Sequence, residues 1–114
     1  MPDPKIKCAF YRTGQGREPV RDWLRGLDDE VCKAIGRDIL SVQWRWPISK
    51  PLVDAFGGGL YEVRTSAGGG IYRVLFCITG STMWLLEGFA KKTQKTPARH
   101  IDLARLRQRE VESE

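Results

Sequence analysis

Three apolar runs in quick succession, at residues 60–65, 71–78 and 83–90, constrain this chain more than any other feature. The gaps between them are only Ser66-Ala-Gly-Gly-Gly70 and Thr79-Gly-Ser-Thr82. A parallel crossover needs a dozen or more residues, whereas an antiparallel hairpin closes through about two to five. The runs are therefore expected to form a three-stranded antiparallel meander. Upstream, residues 5–11 alternate, with Ile6, Cys8 and Phe10 on one side, the pattern of a half-buried strand. Pro19 suits the first turn of a helix, and Val20, Trp23, Leu24 and Leu27 follow at helical spacing. A second helix is expected over 29–44, with Val31, Ala34, Ile35, Ile39 and Val42 inward and Pro47 and Pro51 beyond its end. The stretch from there to Gly57-Gly-Gly59 reads as a loop. Pro97 opens a last helix, roughly 98–110, with a broad stripe of Ile101, Leu103, Ala104 and Leu106. The expected architecture is α+β in one domain, residues 1–114: an N-terminal strand, two helices, the meander and a C-terminal helix. The first two helices should cover one sheet face and leave the other at least partly open.

Charge and composition narrow the function. Nineteen Lys and Arg against fourteen Asp and Glu give a formal net charge of +5, which favours nucleic acid, an acidic protein segment or anionic lipid as partner. The three cysteines are odd in number and none has CxxC spacing, so neither a disulfide framework nor a cysteine zinc site is expected. All three lie among apolar residues and read as small buried hydrophobes in a reducing compartment. No apolar run approaches the ~18 residues of a membrane span and no leader-like segment appears, so a soluble, cytoplasmic protein without a membrane partner is expected. The single histidine, His100, is too little for a histidine pair or a histidine-rich metal site, and it reads as a surface residue. The glycine triplets lack the Lys-Ser/Thr and following helix of a phosphate loop. Neither a metal nor a cofactor is expected.

The informative residues are basic. If the first hairpin turns between Gly68 and Gly69, Arg64 and Arg73 lie directly opposite on one sheet face. Facing like charges destabilise a strand pair by some tenths of a kcal/mol, a cost that an anion or the nearby Glu62 would relieve. As a surface residue, Arg73 should contribute within about 0.5 kcal/mol to stability. From residue 91 to residue 99 the chain carries Lys91, Lys92, Lys95 and Arg99 with no acidic residue, at a strand-to-helix junction suited to phosphates. Trp44-Arg45-Trp46 interleaves aromatic and basic residues as single-strand nucleic-acid sites do, but fits packing at the end of the second helix better.

Four segments together resemble a known group: Leu60-Tyr-Glu-Val-Arg64, Ile71-Tyr-Arg-Val-Leu75, Leu85-Leu-Glu-Gly-Phe89 and Lys91-Lys-Thr-Gln-Lys-Thr-Pro97. They are similar to the HigB-like, phage-derived branch of the RelE/ParE toxin superfamily. Arg17-Glu-Pro-Val20 and Trp23-Leu24 extend the likeness upstream. The resemblance implies a RelE-like fold and the toxin of a type II toxin–antitoxin pair. It implies a metal-independent endoribonuclease that cuts mRNA on the ribosome and stops translation. A cognate antitoxin, expected as a small helix-turn-helix protein, would be its partner beside ribosome and mRNA. The matching catalytic positions are Arg64, Arg73, Lys91 and Lys92, with Lys50, Lys95 and Arg99 binding RNA. Where relatives often carry histidine in the Leu-Leu-x-Gly-Phe strand, this chain has Glu87, which leaves Lys91, Lys92 and Glu87 as rival general bases. ParE-like members instead inhibit DNA gyrase without cutting nucleic acid, which is the alternative function.

Overall fold

The computed structural model describes residues 3–91 and 95–113. Its elements are β1 (Lys7–Phe10), α1 (Pro19–Arg25), α2 (Asp29–Arg45), β2 (Val53–Gly57), β3 (Leu60–Ala67), β4 (Gly70–Thr79), β5 (Thr82–Lys91) and α3 (Ala98–Glu112). They build a mixed α+β structure with one five-stranded sheet in the order β1-β5-β4-β3-β2. Neighbours from β2 to β5 pair antiparallel, and β1 pairs parallel with β5. Among the described residues no helix is long and apolar enough to cross a membrane.

Residues 53–57 are thus a strand and not the expected loop. Val53 is buried, but Asp54 and Ala55 interrupt any apolar pattern, and the strand is defined by pairing with β3. At the other edge, β1 leaves Cys8 exposed, whereas Cys77 is fully buried on the central strand. An edge strand has no neighbour to cover its outer side, so the expectation that all three thiols are buried fails at Cys8.

Two cores lie on the two sheet faces. On one, Val20 of α1 and Val31, Ile35, Ile39 and Val42 of α2 pack with Val63, Val74, Phe76 and Leu85. Trp46 closes this core edge-on against Tyr61 at 4.9 Å, while Trp44 stays exposed. Trp23 of α1 lies on Gly88, where a Cβ would overlap the indole, so the glycine of Leu-Leu-Glu-Gly-Phe is a packing requirement.

On the other face α3 covers β4 and β5, burying Leu75, Cys77, Leu86 and Phe89 under Ala104 and Val111. The buried stripe of α3 is Ala104, Gln108 and Val111, whereas Leu106 is exposed. Gln108 is concealed because its amide donates to Gly58 O at 2.8 Å. Arg105 reaches the same turn, donating to Gly57 O at 2.8 Å. Tyr11 donates to Glu110, and Arg107 lies over the Tyr11 ring at 5.2 Å. Polar anchors therefore add to this apolar contact in fixing α3 on the sheet.

Candidate active site

Strand alternation decides which side chains meet beneath the start of α3. The β3–β4 hairpin does turn at Gly68-Gly69, both with positive φ, and it sets Arg64 opposite Arg73. The next strand continues the row with Phe89 opposite Arg73. One row inward, Asp54, Glu62, Leu75 and Glu87 lie side by side across β2 to β5. A bulge in β5 between the partners of Leu75 and Phe76 brings both Leu86 and Glu87 to the α3 side.

The two arginines have different fates. Arg73 is 2 % exposed and forms a salt bridge with Glu62, which is itself fully buried. Thr96 donates to the other Glu62 oxygen at 2.6 Å. Arg73 is thus no surface residue, and the expectation of a negligible stability cost is overturned. The facing charges of Arg64 and Arg73 are accommodated because Glu62, diagonal to Arg73, neutralises one of them. The pair also explains part of the Lys-Lys-Thr-Gln-Lys-Thr-Pro run: Thr96 ties the junction to the sheet just before α3 begins.

Arg64 is half-buried and makes no ion pair among the described residues. It lines a cleft of about 190 Å³ with Lys50, Pro51 and Asp54. Lys50 is exposed and sits 3.7 Å from Asp54. Lys95 and Arg99 are exposed on the approach to α3 and on its first turn. Lys91 ends β5 opposite Ile71, but its side chain and all of Lys92 lie outside the described residues.

A further group sits at the opposite end of the row. Glu87 Oε2 is 2.9 Å from His100 Nδ1, and Glu87 Oε1 is 3.4 Å from Arg107 Nη1. The His100 ring lies flat on Phe89, with centroids 3.9 Å apart and planes within 2°. Arg107 also donates to Leu86 O at 2.8 Å, fixing it beside the carboxylate. His100 is therefore a part-buried, doubly held imidazole and not a surface histidine. Its only sequence signal was its place three residues after the helix-opening Pro97. Nothing in the spacing reveals that this turn of α3 lands on Phe89.

A cleft of about 700 Å³ lies elsewhere, between β1 and the C-terminal end of α3. It mixes Arg12 with Glu18 and Glu110, so its charge does not select an anion. Among the described residues no cluster of three or more His, Cys, Asp or Glu is arranged to hold a metal ion.

These features define a small basic α+β domain that gathers charged groups where its sheet meets a C-terminal helix. Residues 22–109 match the family model described as "Phage derived protein Gp49-like", and the chain belongs to that family. The family is part of the RelE/ParE-like superfamily of toxins from toxin–antitoxin systems, so a cognate antitoxin is implied as partner. No curated protein matches the chain.

Proposed function

We propose that this toxin is a HigB-like mRNA endoribonuclease that acts on the ribosome and needs no metal. The observation that carries the reading is Arg64, a half-buried guanidinium that forms no ion pair among the described residues and that shares a cleft with Lys50 and Asp54. A partly desolvated guanidinium is well suited to a phosphate, because its planar donors match two phosphate oxygens. The 2′-hydroxyl of RNA is the nucleophile already placed beside the scissile phosphate. Its oxygen attacks phosphorus, the bond to the 5′-oxygen breaks, and the products are a cyclic phosphate and a 5′-hydroxyl. Arg64 stabilises the phosphate oxygens, and a lysine at 91 or 92 protonates the leaving oxygen. Lys50, Lys95 and Arg99 hold flanking phosphates. Arg73 acts from below: its charge is already balanced by Glu62, and it fixes the strand that bears the site. The antitoxin would be a small helix-turn-helix protein that covers this basic region.

The test uses translating ribosomes, with magnesium only as they require, and toxin treated with EDTA. The message carries one 2′-deoxy nucleotide at the mapped cut. Cleavage of the unmodified message with 5′-hydroxyl ends, and none at the deoxy position, is expected. A 5′-phosphate on the downstream piece rules out the mechanism. An intact message together with arrested DNA supercoiling assigns the chain to gyrase inhibition instead.

A further inference from the structure

We propose that His100 is the general base of the cleavage reaction and that Glu87 and Phe89 position it. The inference rests on the nuclease reading above and adds the group that reading leaves open. An ionised carboxylate only accepts hydrogen bonds, so the 2.9 Å contact with Glu87 places the imidazole proton on Nδ1. Nε2 is then the basic nitrogen, and it has no hydrogen-bond partner among the described residues. The flat stack on Phe89 fixes the ring plane, and the contact with Glu87 fixes its rotation. Arg107 braces Glu87 from α3, so the carboxylate has a cation on one oxygen and the imidazole on the other. The side chains of His100 and Glu87 remain 17 % and 15 % exposed, so the imidazole is mostly dry without being sealed from solvent.

The placement suits the proposed chemistry. Arg64 and Phe89 flank Arg73 in one cross-strand row, so they are two strand spacings, about 10 Å, apart. His100 stacks on Phe89 at the β5 end of the row, and Arg64 borders the cleft with Lys50 and Asp54 at the β3 end. In the forward step Nε2 takes the 2′-hydroxyl proton as the new P–O bond forms. The leaving 5′-oxygen takes a proton from a lysine ammonium. The imidazolium, stabilised by Glu87, then returns its proton to the lysine amine through solvent, and both groups are restored.

The experiment compares wild type with His100→Gln, His100→Ala, Glu87→Gln and Arg64→Ala on translating ribosomes, after thermal unfolding has established that each variant folds. General-base removal should slow cleavage by roughly 10²-fold or more. Gln at position 100 keeps a polar group near Glu87 but cannot take the proton, so it should be as slow as Ala. Added imidazole should restore a large part of the rate to His100→Ala and none to Arg64→Ala. Glu87→Gln should lower kcat with little change in KM, because it acts through His100 and not on the substrate. Full cleavage by a folded His100→Gln, or a slow His100→Ala that imidazole leaves unchanged, overturns the assignment while the nuclease reading stands. Absence of cleavage by wild type overturns the nuclease reading, and this assignment with it.

Discussion

Replacing Arg73 by alanine should unfold this protein at a markedly lower temperature. The residue is 2 % exposed and its partner Glu62 is fully buried. Its removal leaves a carboxylate with one described neutral donor, the Thr96 hydroxyl at 2.6 Å. Exposed ion pairs are worth about 0–1 kcal/mol, but stripping one member from a buried pair costs about 3–5 kcal/mol because the remaining charge is uncompensated. At about 2.1 cal/mol/K per residue, a chain of 114 residues has an unfolding entropy near 0.24 kcal/mol/K. The loss therefore corresponds to a fall in Tm of roughly 12–20 °C. The assay is calorimetric melting of wild type, Arg73→Ala, Glu62→Leu and the double variant Arg73→Met/Glu62→Leu. The double variant should recover much of the loss, since an apolar pair carries no stranded charge. An Arg73→Ala melting point within about 2 °C of wild type would refute a buried, coupled pair, because it would mean the arginine contributes like an ordinary surface residue.

Arg64→Ala should behave oppositely: stability within about 0.5 kcal/mol of wild type and cleavage slowed by ~10²-fold or more, measured by melting and by message cleavage. Gly88→Ala should destabilise by about 1–3 kcal/mol in denaturant titration, because the added methyl meets the Trp23 ring at the sheet surface. Burial, and then the Glu112 carboxylate, push the Cys77 thiol up to about 12. The thiolate is the reactive form, so at pH 8 iodoacetamide should reach the fully buried Cys77 only on unfolding, as read by peptide mass mapping.

The hairpins were legible in the sequence because glycine-rich gaps leave the chain few alternatives, and the Arg64–Arg73 register followed from the symmetry of one such gap. The helical face made by Val31, Ile35, Ile39 and Val42 was legible for the same reason: one periodicity, one buried side. What stayed hidden depended on partners remote in sequence. β2 has a single buried apolar residue, Val53, and becomes a strand only through β3. Gln108 is buried because Gly58 O accepts its hydrogen bond, which no hydrophobic pattern records. Arg73 looked exposed because charged residues usually are; its concealment needs Glu62 and, 34 residues from it, Thr96. His100 lay outside the motifs, and only the docking of α3 brings it to Glu87.

The parallel pairing of the first strand with the last has a consequence for the order in which the toxin is made. β1 leaves the ribosome early, yet its hydrogen-bonding partner is β5, and Tyr11 finds Glu110 only 99 residues later. At ~5–20 residues per second, that interval is on the order of 5–20 s of synthesis. Closure of the sheet is a high-contact-order event, slow by nature, that waits for nearly the whole chain. The last helix, which carries His100, emerges last, so a nascent or truncated copy holds Arg64 without the imidazole.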